Sequence, residues 1–172
     1  MSAEALKSVL GAAKQIEKVA ANLGRPPIEV TPSRNEPVLP VSLFQGTRGY
    51  IEKIVFEINR TYEHTCYDAC AVMIRRLVEV LIIEAFECYK LTPKIQNSAG
   101  DFVYLQDLIT ALTTESAWNL GRNAKAGLGR LKTIGDQSAH SRRYNARRTY
   151  IDEVIIDLRT VSEELLYLAK LK

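Results

Sequence analysis

Hydrophobic residues recur at helical spacing along most of the chain, and no stretch alternates apolar and polar residues with the period of a strand. The first helical pattern covers Ala3–Leu23, and the sequence Gly-Arg-Pro-Pro that begins at Gly24 ends it. The following segment holds five of the six prolines of the chain and has little periodicity. We therefore predict an N-terminal helix at residues 1–24 and an extended proline-rich linker or strap at residues 25–49.

The remaining residues, 50–172, are predicted to form one helical domain. A short amphipathic helix is expected over Ile51–Ile58. The longest helix, Cys66–Leu91, contains no glycine or proline and is apolar over more than half its circumference. This is typical of a central helix that is packed on several sides or lies at a dimer interface. Asp101 is positioned to cap a third helix, and Thr149–Lys172 begins with a sequence that resembles a capping box. The predicted fold class is all-α.

The composition is that of an ordinary globular protein, with 47% apolar and 25% charged residues in a chain of 172. No apolar run reaches the roughly 18 residues that a membrane-spanning helix needs, so we expect no membrane association. The N-terminus lacks the layout of a signal peptide, and three cysteines do not make a disulfide framework. These features predict a cytoplasmic protein with reduced thiols.

Positive charge is concentrated in one segment, Arg122–Arg148, which carries eight Lys or Arg and one acid, a local charge of +7. Because the net charge of the chain is +3, all other residues together sum to −4. Such segregation indicates a binding site for an anion, most plainly phosphate.

The sequence offers little support for a metal or a cofactor. Cys66 and Cys70 lie one helical turn apart, but the further ligands of a zinc site are missing, so the cysteines are predicted to be core residues. Gly121, Gly127 and Gly129 do not form a phosphate-binding loop, because no strand precedes them and no Gly-Lys-Ser/Thr follows. We expect these glycines to allow close helix packing or a kink.

His140 is the strongest candidate for chemistry, because an imidazole among arginines can act as a general base or acid on a phosphodiester. If a helix continues from Asp136 to Arg148, then His140, Arg143, Tyr144 and Arg147 share one face. Two structural interpretations stand beside this one. His140 could be buried and hydrogen-bonded between helices, and the arginines could pair with a partner protein or with the acids Asp152, Glu153 and Asp157.

Two motifs resemble the HEPN superfamily over residues 50–172. The central helix contains Tyr67, Ala71, Arg75-Arg76 and Glu79, and the sequence Gly-Asp-Gln-Ser-Ala-His begins at Gly135. The second motif is similar to Gly-Asn-x-Ala-Ala-His of a bacterial HEPN-like branch of unknown function. The resemblance implies a helical bundle that forms a homodimer, with two copies of the motif in one cleft.

In the nuclease members of that superfamily, an arginine that is separated from the histidine by four to six intervening residues takes part in metal-independent RNA cleavage. His140 matches the family histidine and Asp136 matches its polar position, but the arginine positions hold Thr133, Ile134 and Gly135. We therefore predict a non-catalytic module that binds nucleic acid or supports assembly, in a setting such as bacterial defence or a toxin–antitoxin system. The residues expected to bind phosphate are Arg130, Lys132, Arg142, Arg143, Tyr144, Arg147 and Arg148.

Two alternative functions stay open at this stage. One is a metal-independent ribonuclease that uses His140 with an arginine displaced from the usual position. The other is a protein-interaction subunit that reaches a partner through residues 1–48, in which the first helix and the proline-rich segment would provide the contact surface.

Overall fold

The computed structural model describes residues 10–15 and 36–172 of the chain, which divides into two compact units, Met1–Pro32 and Ser33–Lys172. In the first unit, residues 10–15 are helical and exposed. The remainder of the predicted N-terminal helix and most of the predicted linker lie outside the described residues. The second unit contains His140 and all the residues predicted to bind phosphate.

Residues 36–172 contain no strand, and the prediction of an all-α fold is confirmed. A single isolated β-bridge joins Gln96 and Phe102. No helix in the described ranges combines the length and apolar character needed to cross a membrane. The helices are α1 (Val41–Phe44), α2 (Gly49–Glu63), α3 (Tyr67–Cys88), a 3-10 helix (Thr92–Ile95), α4 (Leu105–Thr114), α5 (Arg122–His140) and α6 (Arg148–Leu168).

Helix α3 is the centre of the bundle, as its broad apolar surface predicts. It packs against α2, α4, α5 and α6, and Ile74, Leu77 and Leu81 have no solvent exposure. Burying an aliphatic side chain of this size stabilises the fold by about 1.5–3 kcal/mol. The contacts on several sides of α3 fix the positions of α5 and α6, the two helices that carry most of the basic segment.

The last part of the predicted linker is packed rather than extended. Val38 and Leu39 are fully buried, and the side-chain amide of Asn59 donates to the carbonyl of Leu39 and accepts from its backbone N–H. Arg159 donates to the carbonyl oxygens of Pro37 and Val38. Because these bonds satisfy the carbonyl oxygens of residues 37–39 and the N–H of Leu39, this stretch can be buried in the helical unit.

Two predicted helix caps are wrong. Helix α6 begins at Arg148 without a side-chain cap, because the Asp152 carboxylate accepts instead from the Tyr62 hydroxyl, at 2.5 Å. Helix α4 begins at Leu105, also without a side-chain cap. Asp101 lies before this helix in a turn closed by the side chain of Asn97, which accepts from the Asp101 backbone N–H at 3.0 Å.

A helix does not continue from Asp136 to Arg148, because α5 ends at His140. Residues 141–147 form a loop that we call the basic loop. The backbone of this loop is bound to α3, since the Ala146 N–H donates to the Asp68 side chain at 2.9 Å. Because the chain changes direction in the basic loop, α6 can pack against α5. His140 therefore does not share a helical face with Arg143, Tyr144 and Arg147.

Candidate functional site

Where α5 packs against α3, two sequence motifs meet: the one that contains Ala71 and Arg75 and the one that begins at Gly135. A side chain at Gly135 would collide with the Cβ of Arg75, and its Cβ would lie 3.1 Å from the carbonyl oxygen of Ala71. The absence of a side chain at Gly135 therefore permits the close approach of the two helices. Gly135 thus has a structural role, and an arginine at this position would require α3 and α5 to move apart.

Next to this contact, Asp136 is the centre of an ion-pair cluster. It accepts from Arg75 Nε at 2.7 Å and from Lys132 Nζ at 2.5 Å, and Arg75 also pairs with Glu79 at 3.4 Å. Burial raises the pKa of Asp136, but the hydrogen bonds from Lys132 and Arg75 outweigh it, so the pKa lies below its ordinary value. The Asp136 carboxylate is thus ionised and has a structural role, and the Lys132 ammonium group is bound to it.

Two further residues predicted to bind phosphate are engaged in ion pairs. Arg130 binds both carboxylate oxygens of Asp157, with distances of 2.5 and 2.6 Å. Arg148 contacts Asp152 at 3.5 Å and donates to the Tyr62 hydroxyl at 3.1 Å. For these two arginines, the alternative of pairing with Asp152 or Asp157 is the one that the structure shows.

The arginines of the basic loop differ from the cations of α5 in their ion pairing. Arg142, Arg143 and Arg147 are exposed, and none of their side chains forms a hydrogen bond or an ion pair with another residue in the described ranges. The loop itself contains no acid. Tyr144 is half-buried and stacks on Tyr150, with ring centroids 6.0 Å apart and planes at 22°. The loop therefore presents three unpaired guanidinium groups from a backbone that is anchored by Tyr144 and Ala146.

His140 is the last residue of α5 and is exposed, so it is not a buried packing residue. Its imidazole has no hydrogen-bond partner among the described residues. The Ser138 hydroxyl is buried without a partner there, and Asp136 is bound to Arg75 and Lys132. These three side chains do not form a catalytic triad.

A cleft of about 390 Å³ lies between α5 and α6, beside the basic loop. Of the residues that line this cleft, Arg130 and Tyr144 were predicted from the sequence as binding residues, and the other lining residues were not. A signal was present, because Gly129, Thr133 and Gln137 follow each other at four-residue spacing and leave a row of small or polar side chains on α5. The complete lining is Gly129, Arg130, Thr133, Ile134, Gln137, Tyr144, Tyr150, Glu153 and Val154.

The cysteines are distributed differently from the prediction. Cys70 is a core residue, and burial raises the pKa of its thiol to about 12. Cys66 is exposed because it precedes the first turn of α3, and Cys88 is half-buried at the last residue of that helix. No group of three or more His, Cys, Asp or Glu in the described part of the chain is arranged to hold a metal ion.

No protein-family model, no curated protein and no solved structure matches this chain. The interpretation of the site therefore depends on its own residues: a closely packed Gly135, a structural carboxylate at Asp136, and an exposed His140 that leads into the basic loop. Chemically, this arrangement offers hydrogen-bond donors and positive charge to an anion.

Proposed function

We propose that this protein is a non-catalytic, HEPN-like module that binds nucleic acid through the phosphate backbone. The observation that carries the proposal is the state of the basic loop, in which Arg142, Arg143 and Arg147 are exposed and lack a carboxylate partner within the described ranges. A guanidinium group has five N–H donors in a planar fork that matches a phosphate. Binding here requires no ion pair of the protein to break.

The paired cations are expected to contribute much less. Arg130 and Lys132 would have to leave Asp157 and Asp136 before they could bind phosphate, and those carboxylates would then repel the ligand. We therefore assign the phosphate contacts to the basic loop, with His140 at its entrance. Lys132 and Arg130 are reassigned to the stability of the bundle.

The HEPN-like part of the proposal is supported by the contact between the two motifs. Ala71 and Arg75 on α3 touch Gly135 and Asp136 on α5, so the resembling residues form one structural unit rather than two unrelated similarities. The resemblance further suggests a homodimer in which two basic loops line one cleft, and a setting in bacterial defence or a toxin–antitoxin system.

The absence of catalysis is proposed from the environment of His140. The arginine that contacts the motif is Arg75, and its guanidinium group is bound to Asp136 and Glu79. In the described residues, no side chain hydrogen-bonds to the imidazole to orient it, as a general base requires. An RNA phosphodiester would thus meet binding groups without an organised acid–base pair.

The test is a binding titration with labelled single-stranded RNA and duplex DNA between about 50 and 200 mM salt. Three phosphate contacts on a single strand predict a slope of about −2 in log K against log salt. We expect Arg142→Glu/Arg143→Glu to abolish binding, whereas Arg130→Gln, which removes a paired cation, retains it. Failure of the wild-type protein to bind either nucleic acid at low salt would contradict the proposal.

The same samples decide the question of catalysis. We expect the RNA to stay intact with the wild-type protein and with His140→Ala. Cleavage by the wild-type protein that disappears in His140→Ala, with binding unchanged, would instead identify a metal-independent ribonuclease.

A further inference from the structure

Three glycines lie inside α5, and only two of them are explained by packing. At Gly127 a Cβ would lie 3.1 Å from atoms of Asp157 and Val161, and at Gly135 it would collide with Arg75. At Gly129 an added Cβ would meet nothing within 4 Å. Because glycine in the interior of a helix is destabilising relative to alanine, Gly129 lowers the stability of α5 without any packing gain.

The structural effect of Gly129 is to leave the cleft between α5 and α6 open at that point. Ile134 and Val154 provide apolar surface in the cleft, and the stacked rings of Tyr144 and Tyr150 form a further part of its lining. Its volume of about 390 Å³ is within the usual range of pockets that bind small molecules. Apolar walls and aromatic rings favour a flat ligand.

Two polar side chains of the cleft are free to bind such a ligand. Gln137 and Glu153 are exposed, and neither side chain forms a hydrogen bond or an ion pair with another residue of the described ranges. By contrast, Arg130 is bound to Asp157, and the Thr133 hydroxyl donates to the carbonyl of Gly129. The cleft thus offers a carboxylate, which only accepts hydrogen bonds, and an amide, which both donates and accepts.

The cleft is continuous with the basic loop, because Tyr144 belongs to both. We propose that the cleft binds one base of the strand whose phosphates the basic loop contacts, and that it prefers guanine. This inference rests on the proposed nucleic-acid binding. Guanine is the base that presents two adjacent N–H donors, N1 and N2, to a carboxylate such as Glu153, and its O6 can accept from Gln137. Stacking and apolar contact hold the ring itself.

The test compares a strand of seven uridines with the same strand carrying guanosine or adenosine at its centre. We expect the wild-type protein to bind the guanosine strand at least about fivefold more tightly than the other two. In Gly129→Leu, a side chain fills the space above the helix, so the three strands should bind equally. Gly129→Ala is the matched control, and it should keep most of the preference.

Both Gly129 variants are expected to fold, since leucine and alanine both favour a helix more than glycine does. A second variant, Glu153→Gln, should lose the preference for guanosine over adenosine while it binds the uridine strand at least as well as the wild-type protein. Retention of the guanosine preference in both Gly129→Leu and Glu153→Gln would overturn the assignment to the cleft.

The outcomes also separate this inference from the proposed function. Equal wild-type binding of all three strands, lost only in Arg142→Glu/Arg143→Glu, would overturn base recognition and leave phosphate binding in place. If no strand binds at low salt, the phosphate proposal fails, and a titration with guanosine monophosphate then decides the cleft. Binding of that nucleotide which disappears in Gly129→Leu supports a base site, and no binding overturns it.

Discussion

The cations of α5 and those of the basic loop belong to one continuous basic segment, but their surroundings differ. Arg130 and Lys132 face carboxylates on α6 and within α5, at distances of 2.5 Å. Arg142, Arg143 and Arg147 extend from a loop after the end of the helix, where no described acid reaches them. The comparison shows that charge density along a sequence indicates a site, while packing decides which charges are available to a ligand.

The largest predicted effect concerns the glycines of α5. Gly135→Ala places a Cβ against Arg75 and Ala71, and we expect it to lower the free energy of unfolding by about 1–3 kcal/mol. Gly129→Ala introduces the same methyl group in open space and should raise that free energy by about 0.5–1 kcal/mol. Urea unfolding of both variants measures the difference. Equal effects would contradict the close contact between α3 and α5.

The next effect tests the ion-pair cluster. We expect Asp136→Asn to lower the free energy of unfolding by about 1–2 kcal/mol at neutral pH, because Arg75 and Lys132 lose their shared carboxylate. Glu153→Gln removes an unpaired carboxylate and should change the free energy of unfolding by less than about 0.5 kcal/mol. A loss as large in Glu153→Gln would show that the cluster has no special role.

The variant Asp136→Asn also predicts how the free energy of unfolding depends on pH. Since the folded protein holds the pKa of Asp136 below its ordinary value of about 3.9, its stabilising effect is complete above that value and is lost as pH falls through the folded pKa. The difference in stability between the wild-type protein and Asp136→Asn should therefore shrink from about pH 5 downwards. A difference that does not change with pH would contradict this assignment.

The smallest predicted effect sharpens the contrast between paired and unpaired arginines. Arg142→Gln should reduce the salt slope of single-stranded RNA binding by about 0.7, the contribution of one phosphate contact. Arg130→Gln, which removes a cation already bound to Asp157, should leave the slope unchanged. The measurement is the same salt titration for both variants. A larger change in Arg130→Gln would place the phosphate contacts on α5 instead of the basic loop.

Periodicity was sufficient to predict the all-α fold and the central position of α3, because burial depends on which residues share a face. The ends of the helices were harder to predict, because the decisive bonds come from distant residues. Asp152 fits a capping box locally, but Tyr62, ninety positions earlier in the chain, takes its carboxylate. For the same reason, the end of α5 at His140 could not be derived from the local sequence.

The site was predicted in part. The sequence located the basic segment and His140, and it foresaw that acids could bind some arginines. It could not show that Arg75 and Asp136, 61 positions apart, bind each other, nor that Gly129 faces open space while Gly127 and Gly135 are packed. The cleft with Gln137 and Glu153 required the three-dimensional arrangement of α5 and α6.

The two anchors of the basic loop have a consequence for the thermodynamics of binding. Ordering the backbone of a flexible residue costs about 1–2 kcal/mol in conformational entropy, and a loop that became ordered only on binding would subtract that cost from its affinity. Here the bond from Ala146 to Asp68 and the stacking of Tyr144 on Tyr150 hold the loop in the folded protein. The loop is thus preorganised, and the arginine side chains alone should lose conformational freedom when a ligand binds.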